Sequence, residues 1–297
     1  MLLNRKIPLH YILNTIKYEV LYVLVIGLIV HFLTYQFKTL IPIMPIAIPT
    51  FIGTAISVIL SFKLNQSYER WWEARKIWGA IVNDSRNLIL QLQSFIELPL
   101  YDDVKKIAYR QIAWCYCLGR NLRGQDVLKN MERFFSNEDL AFIKQHVNKP
   151  LAILQLNARH LQQLRKQEAL QLFSHVELNT TVVNLTNSMG MAERIKNTVF
   201  PVTYKYFLHL IIYLFVITLS IAMRDIESYF EIPLLLIISM AFFLLEKTAS
   251  HLQDPFNGMP TDISVTAIAT TIEINIRELL DEKYTPNPLT TDDFYLM

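Results

Sequence analysis

The sequence predicts an all-α membrane protein that combines four membrane-spanning helices with a helical soluble region. Charged residues make up only 18% of the chain and the mean hydropathy is +0.27, whereas soluble domains carry about 25% charged residues. Four apolar runs interrupt the chain, and the sequence between them shows helical rather than alternating periodicity. The net charge of +2 gives no indication of a nucleic-acid partner.

The first two apolar runs, 20–37 and 39–62, are separated by Lys38 alone, which predicts two antiparallel neighbouring helices. The second run begins with a cluster of prolines, Pro42, Pro45 and Pro49. Because proline breaks the hydrogen-bond ladder inside a helix, we expect irregular backbone from 39 to about 49. A clean helix is expected from Thr50, passing directly into the charged segment that follows Phe62.

The last two apolar runs, 206–223 and 232–245, predict the third and fourth spans. The fourth run is short, so we expect it to extend in both directions, and Glu246 and Lys247 at its end are placed to pair with each other. Four spans put both termini and the region between spans two and three on one side. The predicted division is 1–62 for an N-terminal cytosolic segment and the first two spans (pore-lining helix about 50–62), and 63–202 for a helical cytosolic domain. Residues 203–252 are predicted to form spans three and four, and 253–297 a cytosolic C-terminal segment with a helix and an extended or disordered tail.

The helix that leaves the second span is dense in tryptophan and charge. It contains Arg70, Trp71, Trp72, Glu73, Arg75 and Trp78. Tryptophans at a helix exit are typical of membrane-interface anchors, but the interleaved charges favour a packed helix junction, and both interpretations remain open. The two cysteines, Cys115 and Cys117, are expected to be buried thiols in a reducing compartment.

Four blocks of sequence resemble the bestrophin family in its bacterial branch. They are 67–79 (Ser-Tyr-Glu-Arg-Trp-Trp-Glu-Ala-Arg-Lys-Ile-Trp-Gly), 192–198 (Ala-Glu-Arg-Ile-Lys-Asn-Thr), 254–256 (Asp-Pro-Phe) and 271–277 (Thr-Ile-Glu-Ile-Asn-Ile-Arg). The resemblance implies a homopentameric ion channel in the inner membrane, with the soluble domain and both termini in the cytoplasm. Its implied partners are membrane lipids and permeant monovalent ions, with no cofactor and no nucleic acid.

The resemblance places an apolar pore neck on the second span, at Thr54, Val58 and Phe62. Steps of four residues keep these positions on one helix stripe, which supports the assignment. Bestrophins carry a bulkier apolar residue at the level of Thr54, so a hydroxyl ring is expected to loosen that level. The alternative is that the three residues are ordinary packing positions. Lys63 lies about 100° from Phe62 around the helix and is expected to turn away from the pore axis.

A second, cytosolic constriction is implied by the resemblance at Leu172 or Phe173, where the correspondence has no strong anchor. His175 lies close by and is either a vestibule residue or a structural one. The sequence from Asp254 to Asp262 lacks the acidic run of animal bestrophins, so no calcium clasp is predicted, because calcium takes six to eight oxygen ligands.

Enzyme motifs are absent from the sequence, and the histidines and acids lack metal-ligand spacing. Glu193 with Arg194, and Glu273 with Arg277, are predicted to form buried ion pairs within the helical fold. A transporter is disfavoured because no internal repeat is visible. The resemblance favours chloride or anion conduction, with a monovalent-cation channel of the same architecture and a non-conducting membrane scaffold as alternatives.

Overall fold

The computed structural model describes residues 1–41, 43–96, 100–198, 201–225 and 228–296. These ranges are helical almost throughout and contain, in chain order, α1 (Leu9–Gln36), α2 (Ala47–Phe95), α3 (Tyr101–Leu122), α4 (Asn137–Lys144), α5 (Lys149–Lys166), α6 (Leu172–Asn197), α7 (Val202–Ala222), α8 (Ser228–Gln253) and α9 (Val265–Leu279). A 3-10 turn, Glu132–Phe134, precedes α4. β pairing within the described ranges is confined to one bridge, Leu2 with Tyr295. The all-α prediction is confirmed.

Four helices in the described ranges are long and apolar enough to cross a membrane. They are α1, the N-terminal part of α2, α7 and the segment Tyr229–Gln253 of α8. Their mean hydropathies over 18-residue windows are 1.9, 1.7, 1.9 and 1.9. The fourth apolar run does extend in both directions, as predicted, since α8 begins at Ser228 and ends at Gln253.

The start of α2 differs from the prediction. The helix begins at Ala47 rather than Thr50, so Pro49 lies in its first turn. Proline is tolerated there because the first backbone N–H groups of a helix have no intrahelical acceptor. Pro42, which was also expected in irregular backbone, lies outside the described residues. The predicted continuity is confirmed, because α2 runs without interruption to Phe95.

The chain divides into two compact units. The membrane-helix unit comprises Arg5–Arg70 and Val199–Gln253, and the second unit comprises Met1–Asn4, Trp71–Thr198 and Asp254–Met297. In the membrane-helix unit, α1, α2, α7 and α8 enclose an apolar core. Gly27 and Gly53 permit close helix approach, since a Cβ atom at these positions would lie 2.9 Å from Leu235 Cδ2 and 3.0 Å from Phe215 Cε2.

The second unit has a larger apolar core around α3, which packs against α5, α6 and α9. Ser136 caps α4, accepting a hydrogen bond from the backbone N–H of Asp139 at 3.2 Å. Cys115 and Cys117 are free thiols, and their predicted burial is confirmed. Burial raises the pKa of each thiol to about 12.

His160 occupies a polar position within the second unit, between α3 and α5. Its Nε2 atom lies 2.8 Å from Asp103 Oδ1, and its Nδ1 atom lies 3.2 Å from Arg110 Nη1. Burial lowers the pKa of His160 below its ordinary value of 6.5, although the Asp103 carboxylate acts in the opposite direction. As the pH falls below 6.5, the unfolded chain therefore binds this proton before the folded chain does. Stability consequently falls on acidification in that range.

Replacing His160 with Gln is expected to flatten the pH dependence of stability. The measurement is the thermal unfolding midpoint of both chains in detergent, followed from about pH 7 to pH 5, where the imidazole titrates. The midpoint of the unsubstituted protein should decline more steeply than that of the variant. Equal slopes for the two chains would show that His160 does not contribute to the pH dependence.

Candidate functional site

The N-terminal part of α2 has two distinct faces within the membrane-helix unit. Ile56, Leu60, Lys63 and Ser67 are buried, at spacings of four, three and four residues. Val58 and Phe62 lie on the other face and are 51% and 66% exposed. The predicted neck residues therefore point away from the core of their own unit, which argues against ordinary packing positions within one chain.

Thr54 belongs to the same exposed stripe as Val58 and Phe62. Its hydroxyl donates a hydrogen bond to the backbone carbonyl of Thr50 at 2.9 Å. The hydroxyl hydrogen is thus committed to the helix itself, and only the oxygen lone pairs remain available on the exposed face. This arrangement reduces the polarity that the Thr54 side chain offers to that surface.

Lys63 lies directly after Phe62 but is only 1% exposed. Its Nζ atom donates hydrogen bonds to Glu246 Oε1 and Ser250 Oγ of α8, each at 2.8 Å. Lys63 therefore lies on the buried face of α2 and Phe62 on the exposed face, which agrees with the rotation of about 100° between successive residues. The exposed stripe of α2 therefore carries no charge at the level of Phe62.

Other ion pairs of the membrane-helix unit were not predicted. Glu246 and Lys247 do not pair with each other, contrary to expectation, because successive residues point in different directions from α8. Lys247 instead contacts Glu19 of α1 at 2.7 Å, and Glu231 of α8 lies 2.8 Å from His31 Nδ1. The signal that could have revealed these pairs is the presence of ionisable residues inside the apolar runs or next to their ends, which usually find partners.

The tryptophan-rich part of α2 in the second unit is largely packed. Trp78 is fully buried, and the Trp71 indole N–H donates to the carbonyl of Thr261 at 3.0 Å. Trp72 stacks on Trp71 with ring centroids 6.4 Å apart and remains about half exposed. Packing thus explains Trp71 and Trp78 better than a lipid-facing belt does, while Trp72 retains an exposed face.

The predicted ion pair between Glu193 and Arg194 is wrong. Arg194 is exposed and pairs with Glu73 of α2 at 3.1 Å, while Glu193 accepts a hydrogen bond from Asn148 at 3.0 Å. Adjacent helical residues diverge by about 100°, so their side chains contact different neighbours.

The other predicted pair, Glu273 with Arg277, is confirmed at 3.0 Å, with both side chains largely buried. Of the remaining residues predicted at the junction, Arg70 and Arg75 are half-buried on α2.

The residues predicted for the cytosolic constriction lie in the first turn of α6. Leu172 is 54% exposed and Phe173 is 87% exposed. Both apolar side chains are therefore free of the core of the second unit. His175, one turn further on, is half-buried.

The segment after α8 holds its two acidic residues within the second unit. Asp254 forms an ion pair with Lys196 at 2.9 Å, and Asp262 accepts a hydrogen bond from the backbone N–H of Gly258 at 2.6 Å. Burial raises the pKa of the Asp262 carboxyl. Gly258 has a φ of 81°, a conformation that favours glycine. Within the described ranges, no group of three or more His, Cys, Asp or Glu residues is placed to hold a metal ion.

Four membrane-capable helices with ion pairs buried between them define a multi-pass membrane protein. The family model described as Bacterial/Fungal Bestrophin protein matches residues 8–278. The chain therefore belongs to the bacterial and fungal bestrophin family.

Two relatives are channel-forming proteins by name. The voltage-dependent anion channel-forming protein YneE of Escherichia coli (strain K12) is 30% identical over 245 residues, covering 82% of this chain and 80% of that protein. The voltage-dependent anion channel-forming protein alr2987 of Nostoc sp. is 29% identical over 252 residues, covering 83% and 81%.

Among solved structures, a bacterial bestrophin homologue from Klebsiella pneumoniae superposes with a TM-score of 0.84 at 26% sequence identity, covering 91% of this chain and 100% of that one. The relatives from Escherichia coli and Nostoc sp. are thus anion channel-forming proteins by name.

Proposed function

We propose that this chain forms a homopentameric channel that passes small monovalent ions passively along an axial pore, with chloride and other anions preferred. The observation that carries the proposal is the exposed apolar stripe of α2, where Val58 and Phe62 are uncovered by their own unit. A single chain offers one such stripe, so a pore requires several copies around an axis. The anion-channel names of the relatives support the choice of ion.

In the proposed pore, five copies of Val58 and Phe62 form rings that narrow the neck. Ions passing an apolar ring lose part of their hydration shell, and such a ring can gate by dewetting. Thr54 forms the wider level of the neck, with hydroxyl oxygens that accept hydrogen bonds from water. The exposed Leu172 and Phe173 are proposed to line a second constriction in the cytosolic part of the channel.

The junction residues are proposed to have a structural role, joining the pore helix to the cytosolic helices. Glu73 with Arg194 and Trp71 with Thr261 tie α2 to other parts of the second unit. The proposed setting is the bacterial inner membrane, with lipids around the four spans and the termini in the cytoplasm. The short basic stretch before α1, with Arg5 and Lys6, supports this orientation.

A cation-selective channel of the same architecture is the second candidate. The observation in its favour is that the proposed neck carries no positive charge, because Lys63 is buried against Glu246. Apolar and hydroxyl rings do not discriminate between anions and cations by sign. Selectivity would then depend on charges elsewhere along the pore.

Purified protein in planar bilayers is expected to show a reversal potential close to the chloride equilibrium potential under a potassium chloride gradient. The physical reason is preferential passage of the anion, which drives the potential toward that of chloride. A reversal potential of the opposite sign would establish the cation channel instead.

The mass of the same sample in detergent is the control, because a monomer would contradict the pore. A pentamer that conducts no ion would favour the membrane scaffold.

A further inference from the structure

The carboxylate of Glu246, on α8, contacts side chains of α2 and α7 within the membrane-helix unit. Lys63 of α2 contacts its Oε1 atom at 2.8 Å, and His209 Nε2 of α7 lies 3.3 Å from its Oε2 atom. Ser250, one turn further along α8, donates to Oε1 at 2.7 Å. Glu246 is 0% exposed and Lys63 is 1% exposed, so this group of charges lies inside the unit.

A contribution to the stability of the fold does not by itself explain why these charged side chains are buried here. Two charges removed from water incur a large desolvation penalty, and a buried ion pair is often no more stable than well-packed apolar side chains of similar volume. An ion pair is directional, however, whereas apolar contacts are not. A charged pair inside an apolar unit therefore suits a role in fixing orientation.

The ion pair between Lys63 and Glu246 holds the turn of α2 that carries Phe62, the last residue of the exposed stripe. Phe62 immediately precedes Lys63, so the position of Lys63 sets the rotation of Phe62 about the helix axis. A second polar contact holds the same face one turn earlier, where the Tyr204 hydroxyl of α7 donates to the carbonyl of Ile59 at 3.2 Å. Ile59 and Lys63 are four residues apart, so both contacts hold one side of the helix.

We infer that Lys63 and Glu246 are positioning residues that fix the rotation of α2 and thereby aim the Phe62 ring into the pore. This inference rests on the proposed channel function. The two polar contacts prevent the helix from turning about its axis, and Tyr204 contributes to the same restraint. Loss of the restraint allows the Phe62 rings to adopt several orientations, which changes the width of the neck.

The test uses the double variant K63M/E246M, which removes both charges and leaves neither partner alone in the interior. Its single-channel conductance is expected to differ from that of the unsubstituted protein by more than about twofold. A change of this size exceeds the deviation from additivity that independent sites usually show. In a Phe62→Ala background the same double variant is expected to change the conductance by less than this, because no ring remains to be positioned. A purely structural pair would change conductance equally in both backgrounds, which would overturn the inference.

A matched control is the ion pair between Glu19 of α1 and Lys247 of α8, neither of which belongs to α2. The variant E19M/K247M is expected to leave the conductance unchanged. An effect as large as that of K63M/E246M would overturn the inference, because it would show a general response to lost ion pairs.

Tyr204→Phe provides a second test that removes only one hydroxyl group and does not depend on the folding of the double variant. It is expected to alter the conductance in the same direction as K63M/E246M, and only when Phe62 is present. Unchanged conductance in Tyr204→Phe would overturn the inference, whether or not K63M/E246M folds. The unsubstituted protein is recorded alongside, since absence of current there would instead refute the channel function itself.

Discussion

Phe62→Ala is expected to raise the single-channel conductance about tenfold, which corresponds to a barrier for ion passage lower by about 1.4 kcal/mol. The Phe62 side chain is 66% exposed in the protomer and is the bulkiest member of the proposed neck stripe. Removing five phenyl rings widens the neck and lets water fill it, so an ion keeps more of its hydration shell. The measurement is unitary current in planar bilayers under symmetric salt.

Phe32→Ala is the matched control for this experiment. Phe32 lies on α1, is 58% exposed and loses the same phenyl ring in the substitution. Because it lies outside the proposed stripe, its replacement is expected to leave the conductance at the unsubstituted value. Equal conductance in Phe62→Ala and the unsubstituted protein would place the narrowest part of the pore elsewhere, for example at Leu172 or Phe173.

The helical architecture was predictable because its signals are local. Apolar runs long enough to cross a bilayer occur within single segments, and the Ser136 cap of α4 depends on four consecutive residues. The start of α2 was less predictable, because the effect of a proline depends on its position within a helix. Pro49 looked like a helix breaker in the sequence but lies in the first turn, where it removes no hydrogen bond.

The exposed face of α2 could be predicted from spacing and resemblance, but the partners behind it could not. The sequence indicated that Lys63 turns away from Phe62, because one residue corresponds to about 100° of rotation. It did not indicate Glu246 as the partner, which lies 183 residues away along the chain. The wrong pairings of Glu246 with Lys247 and of Glu193 with Arg194 share one cause, since sequence neighbours were assumed to be spatial partners.

Trp78 is a residue of the family resemblance whose role in this structure is packing. The tryptophan belongs to the block that identified the family, yet its side chain is fully buried in the core of the second unit. A Cβ atom placed on Gly119 of α3 would lie 3.7 Å from the Trp78 ring and 3.1 Å from Val265 of α9. Trp78 therefore packs where α2, α3 and α9 come together, and its main contribution is to stability.

Trp78→Ala is expected to destabilise the protein by about 3–5 kcal/mol, the usual cost of truncating a large buried aromatic side chain and leaving a cavity. The measurement is the thermal unfolding midpoint in detergent, which should fall well below that of the unsubstituted protein. Trp78→Phe is expected to have a smaller effect, because the indole N–H has no hydrogen-bond partner among the described residues and the ring volume is largely retained. Trp72→Ala, at a half-exposed position of the same helix, should also lower the midpoint less. If Trp78→Ala unfolded at the same temperature as Trp72→Ala, burial would not be the reason for the tryptophan at position 78.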